Sequence, residues 1–314
     1  MKPIVTLTLN PAIDVAAEAE KVRPIRKVRT WGERYDPGGG GINVARVVQK
    51  LGGTAFALYL SGGATGPVLD ELIHASGVKS RSIGIQGHTR VSHTVHERST
   101  GLEFRFVPEG PVLAAAEWRA ALEALDEIEC EYLVASGSLP RGVPNDFYVD
   151  VARLASRKGI KLVLDTSGEA LKVATAHGVF LIKPSLGELE DLVGQRLTDP
   201  VDQERAVREL IQAGAAEIIA LTLGQDGALL ATRSGLRRLP GVKVKAKSAV
   251  GAGDSFVAAM THALAQGRDP EDAFALGVAA GTAAVLTMGT ELCRREDVER
   301  IYQDIKRTMV NATS

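Results

Sequence analysis

The chain has 314 residues, 45% of them hydrophobic and 24% charged, the proportions of a folded protein rather than a disordered one. Its 37 lysines and arginines balance 38 aspartates and glutamates, so no overall positive field draws it to nucleic acid or to an anionic membrane. Cys130 and Cys293 are too few and too far apart for a disulfide framework or a zinc site, no apolar run approaches a membrane span, and the N-terminus lacks a signal-type apolar core; a cytoplasmic location is expected.

Short β-branched runs alternate with longer segments of helical period, which predicts βαβ units and a parallel sheet. The first predicted strand is Ile4–Leu9. Residues 14–36 have no helical period but contain alternating pieces. Helix Ile42–Leu51, strand Ala55–Leu60 and helix Gly66–Ser76 follow. Residues 90–107 read as a hairpin: Val91, His93 and Val95 share a face, Ser99-Thr100-Gly101 turns the chain, and Leu102, Phe104 and Phe106 line the returning strand. Then come helix Ala114–Glu127, strand Tyr132–Ser136, helix Pro144–Lys158, strands Lys161–Asp165 and Val179–Ile182, helix Gln203–Gly214 and strand Glu217–Leu223. Ala228–Arg233 and Gly235–Leu239 form an antiparallel edge hairpin, and Lys243, Lys245 and Lys247 alternate as on a solvated strand edge. Helices Asp254–Gln266, Glu271–Leu286 and Arg295–Met309 complete the chain. The irregular segments 14–36 and 88–108 supply a few strands that cannot bury a face alone. One α/β domain over 1–314 is therefore expected, with these strands as a small β-lid over a cleft, shared in a dimer.

The sharpest chemical signal is Val250-Gly251-Ala252-Gly253-Asp254-Ser255, entering an apolar helix. Glycines at a helix start leave N–H groups aimed at one spot, where the helix dipole favours an anion. With a carboxylate beside it, such a spot suits phosphoryl transfer: the N–H groups take up charge and Asp254 accepts a hydroxyl proton. The plain alternative is an acidic cap after a glycine turn. A second cluster, Pro37-Gly38-Gly39-Gly40-Gly41-Ile42-Asn43-Val44-Ala45-Arg46, allows close backbone approach, and Asn43 offers a donor and an acceptor to a polyol. It is not a dinucleotide fingerprint, having neither the third glycine nor the later acidic residue. Lys183-Pro184-Ser185-Leu186-Gly187-Glu188 follows a core strand, hence lies at the carboxyl edge of the sheet where ligands bind. Walker A, H-R-D, D-F-G and G-x-S-x-G motifs are absent, which removes P-loop, protein-kinase and hydrolase readings.

Gly251-Ala252-Gly253-Asp254, with the Gly38–Asn43 segment some two hundred residues earlier, resembles the ribokinase-like (pfkB-type) carbohydrate kinases, over about Thr6 to Tyr302. Thr6-Leu7-Thr8-Leu9-Asn10-Pro11 and Ser136-Gly137-Ser138-Leu139-Pro140 resemble the members that act on fructose and tagatose phosphates, and residues 37–46 resemble the minor-type 6-phosphofructokinases. In 1-phosphofructokinases and tagatose-6-phosphate kinases a Lys is usual where this chain has Gly40. Phe104-Arg105-Phe106-Val107 and Val285–Leu292 point the same way.

The resemblance implies a three-layer α/β/α sandwich with a β-lid, and Mg-ATP-dependent phosphorylation of the 1-hydroxyl of fructose 6-phosphate. By motif matching, Asp254 is the catalytic base and Gly251, Ala252 and Gly253 form the anion hole. Asp14, Gly38, Gly39 and Asn43 hold sugar hydroxyls, while Lys27 and Arg90 in the lid strands, with Ser138, meet the sugar's phosphate; Arg29, also expected in a lid strand, is either a further cation there or a solvated lid charge. ATP lies beside Lys183, Ser185, Thr222, Gly224 and Gly227, and Glu188 acts on Mg2+ through water. Ser248, Val250, Ala284, Thr287 and Gly289 resemble a K+ loop beside the anion hole. Lid-mediated dimerisation is implied as well.

Three positions depart from the family pattern: Ser185 for the usual Asn of an N-x-x-E motif, Ser92 where Asn is common, and Glu291 where close relatives carry a basic residue. Fructose 1-phosphate or tagatose 6-phosphate as acceptor, and a non-catalytic sugar-phosphate sensor on the same scaffold, are the alternatives. His88, His93 and His96 do not make a metal site, since positions 93 and 96 face opposite sides of a strand. Trp31 and Trp118 read as packing residues.

Overall fold

The computed structural model describes residues 2–311. Its large sheet has nine strands: β1 (Ile4–Thr8), β4 (Ala55–Gly62), β5 (Lys79–Ile85), β8 (Tyr132–Ser136), β9 (Lys161–Asp165), β10 (Val179–Ile182), β11 (Ala216–Thr222), β12 (Ala228–Thr232) and β13 (Gly235–Leu239). In space the order is β13-β12-β11-β10-β9-β8-β1-β4-β5. All neighbours pair in parallel except the terminal β11-β12-β13 meander, as the edge hairpin in the sequence predicts.

Alternation along each strand feeds two cores, one on each face. In β8, Tyr132 and Val134 join one apolar cluster while Leu133 and Ala135 join the other. The first cluster is covered by helices α1 (Gly40–Lys50), α2 (Gly66–Ala75), α8 (Ala252–Ala265), α9 (Pro270–Ala284) and α10 (Arg295–Asn311). The second is covered by α3 (Ala115–Asp126), α4 (Phe147–Lys158), α5 (Gly168–Thr175), α6 (Leu186–Val193) and α7 (Pro200–Gln212). Local signals set the helix ends. Asp269 and Asp199 accept first-turn N–H groups of α9 and α7, each with Pro at the next position, and α4 stops at Gly159 in the left-handed region (φ 67°).

The four-stranded small sheet, ordered β3-β2-β6-β7, is drawn from the two segments that lack helical period: β2 (Ala12–Ala19), β3 (Thr30–Gly38), β6 (Arg90–Glu97) and β7 (Glu103–Phe106). It is mixed: β2 and β6 run parallel and the outer pairs antiparallel. Several sequence expectations change. Lys27 and Arg29 lie not in a strand but in the exposed connection between β2 and β3, and Leu102 precedes β7. Lys243, Lys245 and Lys247 belong to no strand. Strand β5 and helices α5 and α6 are additional elements, and α4 begins three residues after Pro144. Trp118 packs edge-on against Phe147, whereas Trp31 is 40% exposed on the small sheet.

Chain order reverses at β1: β4 and β5 extend one way, β8 to β11 the other. A crevice opens beyond the carboxyl ends of the strands at such a switch point. There the chain leaves β1 through Leu9, Asn10 and Pro11 directly into β2.

Candidate active site

Helix α8 starts where Gly251 takes a left-handed conformation (φ 71°), which a side chain would disfavour. First-turn N–H groups of a helix have no intrahelical acceptor. That of Ala252 leans on the Ala249 carbonyl at 3.4 Å and that of Ser255 reaches the Gly251 carbonyl at 2.9 Å. The N–H groups of Gly251, Gly253 and Asp254 have no acceptor within the described residues, so the helix start carries the open donors that an anion hole needs.

Lys183 approaches this hole from the end of β10: its Nζ lies 3.5 Å from the place a Cβ on Gly253 would take. The same ammonium pairs with Asp165, at the end of β9, at 3.2 Å, with the Lys183 side chain buried and that of Asp165 mostly so. Burial works against the charged lysine, but the Asp165 and Glu188 carboxylates outweigh it and hold Lys183 protonated above its usual range. Ser136, at the end of β8, reaches the other Asp165 oxygen at 3.5 Å.

Asp254 is held by the Asn43 amide, whose Nδ2 donates to its Oδ2 at 2.9 Å. Burial, then the neighbouring Asp165 carboxylate, push its pKa up to about 7, against the stabilising Asn43 bond. A carboxyl tuned near neutrality suits a general base. Turnover is therefore expected to rise with pH along a limb centred near 7, because only the ionised form accepts a proton. The check is kcat/KM against pH; an acid limb near 4 would mean that Asp254 is not the titrating base.

Asp14 on β2 lies against the backbone of Gly38: a Cβ there would fall 2.1 Å from its Oδ2. Gly39 (φ 111°) could not bear one either, with Thr8 Cγ2 at 2.8 Å. Burial raises the Asp14 pKa to about 6, while Arg90 and Arg105 act in the opposite direction. Arg90, at the start of β6, donates to the carbonyls of Pro11 (3.4 Å), Pro108 (2.9 Å) and Asn10 (2.8 Å). Ser138 Oγ accepts from Asn10 Nδ2 at 3.2 Å, which frees its own proton for a ligand.

Ser185 and Glu188 form a capping box at the start of α6: the Ser185 N–H and hydroxyl both donate to Glu188 Oε2, at 2.7 and 2.9 Å. Ser185 bridges to Thr222, whose N–H meets the Pro184 carbonyl at 2.9 Å. Gly224 and Gly227 shape the turn that follows, where a Cβ on Gly227 would strike the Leu239 carbonyl at 2.1 Å. Residues 248–250 and 284–289 also adjoin, with Lys247 N–H on the Val285 carbonyl at 2.7 Å. In that loop the Thr287 hydroxyl donates to the carbonyls of Ala284, at 2.7 Å, and Glu291. Ser248 Oγ receives the Val250 N–H at 3.2 Å, and Gly289 is left-handed (φ 56°).

The structure thus gathers Asp254, Gly253, Asn43, Asp14, Gly38, Gly39, Lys183 and the Ser185–Thr222 pair around one crevice. It leaves Lys27 exposed on a separate connection. Asp165, Ser136, Asp36 and Arg46 join the site network without having been singled out in sequence. Asp165 and Ser136 end predicted strands, so the carboxyl-edge rule that found Lys183 reaches them too. Among the described residues no His, Cys, Asp and Glu cluster is arranged to hold a metal by itself.

A family model described as pfkB family carbohydrate kinase matches residues 4–297. The chain is 46% identical over 302 residues to the ATP-dependent 6-phosphofructokinase isozyme 2 of Mycobacterium tuberculosis, covering 96% of this chain and 89% of the relative. It superposes with a TM-score of 0.93 and 39% identity on phosphofructokinase-2 from Escherichia coli in complex with fructose-6-phosphate, over 98% of this chain and 100% of that one. The same Escherichia coli protein in complex with potassium matches with a TM-score of 0.94 and 40% identity, over 98% and 100%.

Proposed function

The chain belongs to the pfkB family of carbohydrate kinases, and we infer that it transfers the γ-phosphoryl of ATP to the 1-hydroxyl of fructose 6-phosphate, giving fructose 1,6-bisphosphate and ADP. The observation that carries this reading is the half-buried Asp254 carboxylate, held by Asn43 at the open N-terminus of α8 with Lys183 alongside. Asp254 takes the proton of the sugar hydroxyl as that oxygen bonds to the γ-phosphorus. The bond from γ-phosphorus to the β,γ-bridging oxygen breaks, and ADP leaves with the electron pair. The N–H groups of Gly253 and Asp254 and the Lys183 ammonium face the charge that moves. Asp14, Asn43 and the bare backbone of Gly38 and Gly39 orient the hydroxyls.

Arg90 and Ser138 take the 6-phosphate. The three backbone carbonyls fix the guanidinium while leaving N–H groups of Nη1 and Nη2 for an anion. Arg90→Ala is accordingly expected to raise KM for fructose 6-phosphate about 10- to 100-fold, the worth of a charge-assisted hydrogen bond. KM for free fructose should change little; equal rises for both sugars would remove Arg90 from phosphate recognition. Gly40, where the relatives acting on the other acceptors usually carry Lys, supports fructose 6-phosphate: a Cβ there would sit 2.1 Å from Ser136 Oγ, so a Lys requires that hydroxyl to turn away and its neighbours to give slightly.

In this reading the nucleotide lies along Lys183, Ser185, Thr222, Gly224 and Gly227. Glu188 spends Oε2 on the helix cap and keeps Oε1 for a water of Mg2+, which when bound neutralises phosphate charge. The neutral oxygens of 248–250 and 284–289 fit a K+ ion, a hard cation that carbonyls satisfy. The apolar residues Trp31, Tyr35 and Phe106, exposed on the small sheet, support a homodimer through that surface.

The experiment is ADP release by the purified protein with Mg-ATP and K+ over fructose 6-phosphate, fructose 1-phosphate, tagatose 6-phosphate, fructose and ribose. The highest kcat/KM is expected with fructose 6-phosphate. Preference for another acceptor would overturn the substrate, and silence across the panel with ATP still bound would leave a sugar-phosphate sensor.

A further inference from the structure

Near the end of β3 stands Asp36, to which the chemistry above gives no part. Its side chain is only 15% exposed and takes partners from three separate segments. Oδ1 accepts from Arg46 Nη2 of helix α1 at 3.0 Å. Oδ2 accepts from Arg34 Nε of the same strand at 2.8 Å and from the hydroxyl of Thr290, in the connection between α9 and α10. Arg34 reaches the same connection, with Nη2 on Thr290 Oγ1 at 3.2 Å and Nη1 3.8 Å from Glu291.

Arg46 carries the network inward. Its side chain is only 12% exposed, donating Nη1 to the Pro37 carbonyl at 2.9 Å and approaching Asn43 Oδ1, one helical turn back, at 3.4 Å. Asn43 then turns Nδ2 to Asp254 at 2.9 Å. An amide has one accepting and one donating end, so a cation on Oδ1 decides which end meets the carboxylate. Without Asp36, a desolvated Arg46 has Asp14 as its other nearby carboxylate, within the sugar pocket.

We propose that Asp36 is a positioning residue for phosphoryl transfer: it holds Arg46 so that Asn43 presents its NH2 group to Asp254, and it fastens that arrangement to the small sheet and to the Thr290–Glu291 connection. Only the activity measurements rest on the kinase reading; the relay itself is a property of the unliganded protein.

Asp36→Asn is expected to lower kcat on fructose 6-phosphate about tenfold or more, while KM for ATP stays within about twofold. Asp36→Glu should recover part of the loss. Combining Asp36→Ala with Asn43→Ala should cost no more than Asn43→Ala alone, since both break one relay. A kcat within about twofold of wild type, or losses that add, would overturn the proposal.

A second readout is independent of turnover: the Asp254 carboxyl, followed by carbon NMR in the unliganded chain. The groups facing it are the Asn43 amide from α1, Asp14 from β2, Asp165 from β9 and Lys183 after β10. Of these the amide is tied to Asp36 through Arg46, and Asp14 also feels the Asp36 and Arg46 charges. Losing the Asn43 bond disfavours the ionised form, so the Asp254 midpoint in Asp36→Asn should move up by roughly half a unit or more. An unchanged midpoint would show that Asp36 is a structural tie and nothing else. Should Asp36→Asn not fold, Arg46→Lys keeps a cation on Asp36 but loses the fork to Asn43, and the same upward shift is expected from it.

Discussion

Asp254→Asn is expected to lower kcat on fructose 6-phosphate by about 10²–10⁴, with ATP affinity little changed. The replacement keeps the shape of the side chain and an oxygen that can accept the Asn43 Nδ2 bond, so the crevice should persist. What disappears is the proton acceptor. The backbone N–H groups at positions 253 and 254 and the Lys183 ammonium still face the nucleotide's phosphates, which is why binding should survive. Stability separates this outcome from a damaged fold. In the folded chain the pKa of Asp254 is about 7, against 3.8 for the free side chain, because burial penalises the charge. A group raised in this way favours the folded state below the unfolded pKa, and that contribution is lost as pH rises through the folded value. Above pH 7 wild type therefore carries a desolvated carboxylate that the Asn variant lacks. The variant should melt no lower than wild type at pH 8, with any advantage fading towards pH 4. Near-wild-type turnover would take the base role from Asp254; a large fall in melting temperature would assign the lost activity to misfolding instead.

The large sheet was legible because its strands are buried on both faces and separated by helices long enough to show a period. β5 escaped for the opposite reason. It is the outermost strand, and Lys79-Ser80-Arg81-Ser82 is exposed, so no apolar alternation marks it. Helices α5 and α6 have eight residues each, about two turns, too short for a helical period to stand out from a loop. In the site, residues inside the glycine motifs were legible because helix starts and close backbone approach have local chemistry. Lys27 and Arg29 fall in the lid segment as expected but not in a strand, since the β2–β3 connection has no apolar pattern to mark where the strands end. Asp36, Arg46 and Asp165 were hidden differently. Each is an ordinary charged residue that nothing in its local sequence marks, and only the topology pairs Asp36 with Thr290 or Asp165 with Lys183.

That last pair allows structure and chemistry to be separated by experiment. Lys183 and Asp165 are 7% and 14% exposed and 3.2 Å apart, so each neutralises a charge the interior does not solvate. Lys183→Met removes one partner and leaves Asp165 to face the interior alone, a loss of roughly 3–5 kcal/mol. Removing both charges, as in Lys183→Met with Asp165→Asn, should restore most of that stability, because an apolar or neutral pair of similar volume is tolerated where a lone ion is not. Activity should behave otherwise. The ammonium also stands beside Gly253, where the transferred phosphoryl would gain charge, and losing one such donor costs about 10²–10³ in kcat. The double variant is thus expected to unfold at nearly the denaturant concentration of wild type, yet to turn over fructose 6-phosphate at least about a hundredfold more slowly. Recovery of turnover together with stability would reduce Lys183 to a structural counter-ion. Recovery of stability alone would establish that the buried pair is a device for holding one positive charge, in fixed position, at the mouth of helix α8.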